Sequence, residues 1–81
     1  MEFLALTPSQ LAQVLKGYRR SKQWTQQELA LKGGLLQKTV SSIESNPQRT
    51  SVETLYKVLS ALDLELVVRA KVRAEPGKGH W

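Results

Sequence analysis

The chain predicts a mainly α fold of four to five helices, gathered around a helix-turn-helix and followed by one C-terminal β-strand. Three observations carry that prediction. Helix-start signals recur at Thr7-Pro8-Ser9-Gln10, Thr25 to Glu28 and Thr50 to Glu53, each a hydroxyl cap with Gln or Glu three residues on. Apolar residues then repeat at the three- and four-residue spacing that gathers them on one helix face. After Asp63 the pattern changes: in Leu64 to Val72, LELVVRAKV, β-branched residues accumulate and apolar positions alternate with charged ones.

Residues 1–6 form an N-terminal arm, whose EFLAL stretch either stays extended or packs on the core. Residues 7–63 form the helical domain. Helix 1 starts behind Thr7, with Pro8 at the first helical position, where its missing N–H is no loss. It runs to about Lys22 with Leu11, Val14, Leu15 and Tyr18 as its apolar stripe. Gly17 lowers helix propensity by roughly 1 kcal/mol relative to Ala and would permit a close helix crossing. Helix 2 starts at Gln26, capped by Thr25 and Glu28, with Trp24 and Leu29 placed as a hydrophobic staple. Leu29 and Ala30 face inward, and Gly33 or Gly34 ends the helix because glycine accepts positive φ without steric cost.

Helix 3 follows from Gln37 to near Ser45, burying Val40 and Ile43 together with Leu35 or Leu36, until Pro47 stops it. Asn46-Pro47-Gln48-Arg49 is a loop by composition. Helix 4 starts behind the Thr50–Glu53 box and runs to about Leu62, with Val52, Leu55, Val58, Leu59 and Leu62 on its inner side. Residues 64–73 are the strand, with Leu64, Leu66, Val67 and Val68 as its apolar members. A lone strand leaves backbone donors and acceptors unpaired, so it needs residues 2–6 or the same strand of a second chain across a twofold axis. Residues 74–81, AEPGKGHW, form a flexible tail, where Trp81 is either incidental or an anchor for a partner's pocket.

Composition narrows the function classes. With 81 residues the chain holds one small core. Twelve Lys and Arg against seven Asp and Glu give a formal charge of +5, which favours a polyanionic partner. There is no cysteine, and the single histidine is His80, so disulfide frameworks, thiolate metal sites and Cys/His catalysis are excluded. Paired carboxylates, a nucleophile with its base and a phosphate loop are also missing, since no Gly-Lys-Ser or Gly-Lys-Thr follows Gly33-Gly34. No enzyme, no cofactor and no metal are expected. Glu2 makes the N-terminus acidic and no apolar run reaches membrane-spanning length, so a soluble cytoplasmic protein is expected.

The functional signal lies on helix 3. Gln37, Lys38, Ser41 and Ser42 occupy positions i, i+1, i+4 and i+5, one face that carries amide, ammonium and hydroxyl groups and no carboxylate. Such a face suits the major groove of DNA, with Gln37 matched to adenine and Lys38 to guanine. A polar helix face is more often merely solvated, and spacing is what separates the two cases. The order Thr-Gln, Glu-Leu-Ala, Gly, Leu, then Gln, Thr-Val-Ser and Ile-Glu resembles the helix-turn-helix of the phage-repressor type, the Xre or Cro/C1 family. One position departs: members commonly carry Ser or Asp where Leu36 stands, as the cap of the recognition helix. The resemblance implies that Arg19 of helix 1 pairs with Glu44 at the end of helix 3. Beside the base-reading face, Thr25, Gln26, Arg49 and Arg20 are expected to hold the sugar-phosphate rails.

Beyond this motif, the whole chain resembles the HipB antitoxins. The stretch TPSQLAQVLKGYRRSKQWTQQELA, the recognition segment, the Asn-Pro loop, helix 4, the LDLELVV strand and a tail ending in Trp all take part. The likeness implies a homodimer joined by a two-stranded intermolecular sheet, bound to double-stranded operator DNA of its own operon in the bacterial cytoplasm and nucleoid. It implies a second partner as well, a HipA-like kinase toxin held inactive. Two rivals stay open from sequence: a stand-alone phage-type repressor without a toxin, and a protein-interaction module that has lost DNA binding.

Overall fold

The computed structural model describes residues 2–71. Helix α1 (Pro8–Ser21) opens on a capping box: the Thr7 hydroxyl accepts from the Gln10 N–H at 3.1 Å while the Gln10 carboxamide oxygen accepts from the N–H groups of Thr7 and Leu6. Helix α2 (Gln26–Gly33) repeats the device, with the Thr25 hydroxyl accepting from the Glu28 N–H at 3.1 Å and Glu28 accepting from the Thr25 N–H at 2.7 Å. Helix α3 (Gln37–Ser45) starts behind Leu36, which offers no side-chain cap. A 3-10 turn (Pro47–Arg49) leads to helix α4 (Val52–Ala61).

The α4 cap is Ser51, whose hydroxyl accepts from the Thr54 N–H at 3.1 Å, and not the Thr50–Glu53 box. Two adjacent hydroxyl residues compete for the same role. Val52, the first residue of α4, is 67% exposed and does not join its inner face.

Three helices end alike. After α1 the Trp24 N–H donates to the Arg19 carbonyl and the Gln23 N–H to that of Arg20; after α4 the Leu64 N–H donates to Leu59 and Asp63 to Ser60; after α2 the Leu35 N–H donates to Ala30 and Gly34 to Leu31. This paired pattern is the Schellman motif, which satisfies the last carbonyls and needs one residue in the left-handed region. Gly34 takes that place at φ 66° without cost, and Gln23 and Asp63 take it at φ 60° and 61°.

The core is one cluster of Leu15, Leu29, Ala30, Val40, Ile43, Val58, Leu59 and Leu62, with Leu11, Tyr18, Trp24, Leu35, Leu55 and Leu64 packed against it. Helix α2 packs on both α3 and α4, and α1 packs on α3 and the 3-10 turn. Leu35 rather than Leu36 turns inward, leaving Leu36 62% exposed. A methyl group built on Gly33 would lie 3.5 Å from the Lys57 carbonyl oxygen, so the close approach of α2 to α4 occurs here. It does not occur at Gly17, where an added Cβ meets nothing within 4 Å.

Among the described residues there is no β-strand. Leu64 packs on the core, and the segment from there to Lys71 runs without a ladder, with Leu66, Val67 and Val68 exposed. The physical reason is pairing: a strand is held by its neighbour's backbone, and residues 2–6 are not in a strand either. The two segments do meet at an exposed contact of 3.4 Å between Arg69 and Glu2. The rest of the expected strand and the tail with Trp81 lie outside the described residues.

The bare start of α3 gives a direct prediction. Leu36→Ser places a cap on a residue whose φ of −85° and ψ of 149° already suit one, and is expected to stabilise the fold by about 1 kcal/mol. Thermal denaturation checks this. An unchanged or lower melting temperature would mean that the first amides of α3 gain nothing from a hydroxyl.

Candidate nucleic-acid interface

The turn between α2 and α3 fixes what α3 presents. Val40 and Ile43 are 1% and 3% exposed, so this side of α3 is anchored in the core and the opposite side must face out. Gln37, Lys38 and Ser42 are exposed there, and Ser41 is half-buried. The one carboxylate of α3 is turned away. Glu44 accepts from Arg19 Nε at 2.7 Å and Arg19 Nη2 at 3.1 Å, a two-pronged pair whose side chains are only 10% and 5% exposed for Arg19 and Glu44. Arg19 Nη1 also donates to the Trp24 carbonyl at 2.6 Å, tying α1 to the entry of α2.

This arrangement has an electrostatic consequence for the outer face. Burial alone pushes the Glu44 carboxyl up, but the hydrogen bonds from Arg19 and Gln26, with the charges of Arg19 and Lys16, outweigh burial and hold it below its usual range. Glu44 therefore stays ionised and stays paired. The face beside it carries donors and one ammonium with no competing negative charge.

A chain of side-chain hydrogen bonds joins the ion pair to the start of α3. Gln26 Nε2 donates to Glu44 Oε1 at 3.1 Å, and Gln37 Nε2 donates to Gln26 Oε1 at 3.1 Å. Gln26 is half-buried, and its side chain is engaged inside the protein. Thr25 is likewise partly committed, because its N–H goes to Glu28. The backbone donors that the first turn of α2 leaves for an outside group are those of Gln26 and Gln27.

Beside α3 lies an open groove of about 420 Å³ lined by Lys38, Thr39, Ser42, Ile43, Arg49, Thr50, Ser51 and Thr54. Two cations, several hydroxyls and the N-terminal end of α4 meet there, an arrangement that suits a phosphate oxygen. The groove brings Lys38, Ser42 and Arg49 together. It does not include Gln37, Ser41, Thr25 or Gln26, nor Arg20, which is exposed in the last turn of α1. Sequence marks none of Thr39, Thr50 and Thr54 as a residue of this groove. Thr50 was read only as a cap, and the other two gain meaning only once the 3-10 turn folds Arg49 back beside α3.

Two cations also flank Trp24, with the ammonium of Lys22 5.3 Å and that of Lys32 4.9 Å from the ring centre. Among the described residues no group of three or more His, Cys, Asp and Glu is placed to hold a metal ion, and no helix is long and apolar enough to cross a membrane.

Residues 15–68 match the helix-turn-helix family. Antitoxin HipB of Escherichia coli O6:H1 is 41% identical over 70 residues, which cover 86% of this chain and 74% of that protein. Its counterpart in Escherichia coli K12 is 40% identical over 70 residues, covering 86% and 80%. Among solved structures, a HipA-HipB-O2-O3 complex superposes with a TM-score of 0.77 at 38% identity, covering 85% of this chain and 96% of that one. A HipB-O4 20mer complex superposes at 0.77 with 36% identity, covering 93% and 100%.

Proposed function

The chain belongs to the HipB antitoxin family of helix-turn-helix proteins, and on that premise we propose that it is a sequence-specific DNA-binding repressor and the antitoxin of a HipA-type toxin–antitoxin pair. The solved relatives are a HipA-HipB-O2-O3 complex and a HipB-O4 20mer complex, and a HipA-like toxin and operator DNA are the partners proposed for this chain. It acts by binding, in the cytoplasm and at the nucleoid, and needs no cofactor. It represses its own operon and holds a kinase-like toxin inactive.

The observation that carries this reading is the carboxylate-free outer face of α3, kept so by the inward pairing of Glu44 and bordered by the Lys38–Arg49 groove. In the major groove Gln37, Lys38, Ser41 and Ser42 read base edges. Thr25, the first amides of α2, Arg49 and Arg20 hold the backbone on either side. The exposed Leu66, Val67 and Val68, with the exposed Phe3, Leu4 and Leu6, supply a surface for a second copy, on which residues 64–73 are proposed to pair as a strand across the twofold axis. Two recognition helices then meet half-sites about one duplex turn, ~34–36 Å, apart. Trp81 is a candidate anchor for the toxin.

Purification of the chain in the presence of its neighbouring gene product and a random duplex pool tests the proposal. Retention of a kinase-like partner and of an enriched palindromic duplex is expected. DNA without a protein partner would favour a stand-alone repressor, and a protein partner without DNA an interaction module. With the enriched duplex in hand, Arg49→Ala is expected to weaken specific and scrambled DNA about equally and to lower the slope of log affinity against log salt by about one. An unchanged slope in a salt titration would remove Arg49 from the phosphate contacts.

A further inference from the structure

We propose that Leu36 reads the methyl group of a thymine, a specificity contact that rests on the DNA-reading function above. Helices α1, α2 and α4 each begin on a hydroxyl that accepts from an amide of the first turn. Helix α3, the one assigned to the groove, begins on a leucine with no such bond, although its φ of −85° and ψ of 149° lie close to the −76° and 157° of the Ser51 cap. The backbone is shaped for a cap and the side chain is not. A hydroxyl there would stabilise the helix, and departures from local preference of this kind gather at functional sites.

The leucine is also held in place. Leu35 packs on the core, its Cδ1 3.4 Å from a Cβ built on Gly33, and its N–H donates to the Ala30 carbonyl at 2.8 Å. Leu36, next along in extended backbone, points the other way and is 62% exposed. Its carbonyl accepts from the Thr39 and Val40 N–H groups at 3.0 and 3.3 Å, which ties it to the first turn of α3. Leu36 therefore stands beside Gln37 and outside the groove of Lys38 and Arg49, at the end of the helix that meets base edges in the major groove.

Chemistry narrows what a leucine can recognise there. It offers no hydrogen bond, and the apolar group that the major groove displays is the C5-methyl of thymine. Contact takes that methyl and the Leu36 side chain out of water together, an effect of about fourfold in affinity for one carbon-sized group. Single exposed leucines are common on small domains. What separates Leu36 from the equally apolar Leu31, 75% exposed on α2, is its place at the reading end and the cap it displaces.

The test uses the full chain and the duplex it selects, with each thymine of a half-site replaced in turn by deoxyuridine, which lacks only the methyl. At one thymine wild type is expected to lose about fourfold in affinity. Leu36→Ser is expected to bind the thymine and deoxyuridine duplexes equally there, and Leu36→Met, apolar and of similar volume, to keep most of the difference. Unfolding does not imitate this result, because Leu36→Ser is the capped variant with the higher expected melting temperature. Equal binding of wild type to every deoxyuridine duplex, or a difference that persists in Leu36→Ser, overturns the role of Leu36 and leaves the reading by Gln37 standing. Loss of the kinase-like partner in Leu36→Ser, with thymine preference intact, overturns it as well and places Leu36 on a protein contact. A folded wild-type chain that selects no duplex overturns the DNA-reading function and the role of Leu36 with it.

Discussion

Glu44→Ala lowers the melting temperature by more than about 10 °C. The substitution leaves the Arg19 guanidinium, in a residue only 8% exposed, without the carboxylate that holds two of its N–H groups. Breaking a buried pair by removing one partner costs about 3–5 kcal/mol, because the remaining charge stays desolvated. For a domain of this size each kcal/mol is worth roughly 4–8 °C. The loss exceeds that of a surface pair such as Arg69 and Glu2, whose side chains are 57% and 80% exposed and whose removal should go unnoticed. Calorimetry of the two variants separates them, and a Glu44→Ala protein that melts like wild type would mean the pair is not structural.

The same pair sets a pH dependence. Glu44 titrates below its ordinary value of 4.5, so the folded state binds its proton less tightly than the unfolded state does. Its contribution is fully present above 4.5 and disappears as the pH falls through the lower folded value. The gap in stability between wild type and Glu44→Ala should therefore be constant at neutral pH and narrow in acid.

Leu29→Ala is the second large effect, about 2–5 kcal/mol. Leu29 is 1% exposed in the core cluster, and its removal leaves a cavity that α3 and α4 cannot fill without shifting. Because α2 packs on both of those helices, the shift also disturbs the angle at which α3 is held. Leu31 is the matched control. It lies two residues on in the same helix, is 75% exposed, and its replacement by Ala should change stability by no more than about 0.5 kcal/mol. Equal losses at the two positions in a denaturant titration would contradict the core assignment.

Much of the fold was legible because local chemistry decided it. Thr7 and Thr25 announce their helices with Gln10 and Glu28, Pro47 stops α3, and Gly34 turns the chain. Where two residues offered the same chemistry, as Thr50 and Ser51 did, sequence could not choose between them. Helix ends at Gln23 and Asp63 were not legible as Schellman turns, since neither is the glycine that marks that conformation. Alternation from Leu64 predicts a strand, but a ladder needs a paired backbone, and among the described residues no strand forms to supply one.

The site divides in the same way. Gln37, Lys38 and Ser42 are exposed, as helical spacing required once Val40 and Ile43 were placed in the core. Linkage of Gln37 to Arg19 through Gln26 and Glu44 spans three helices and depends on how α1, α2 and α3 cross. No spacing rule contains it. The groove beside α3 is likewise a product of packing, because the 3-10 turn sets Arg49 on the same groove as Lys38.

Titration of Gln37→Ala against the selected duplex and its single-base variants tests most directly whether the outer face of α3 reads DNA. The expected result is a loss of discrimination at one base position of each half-site, about 1–3 kcal/mol, with preference elsewhere and the salt slope unchanged. A variant that keeps the full preference at every position would contradict the account, because the reading surface would then lie elsewhere on the chain.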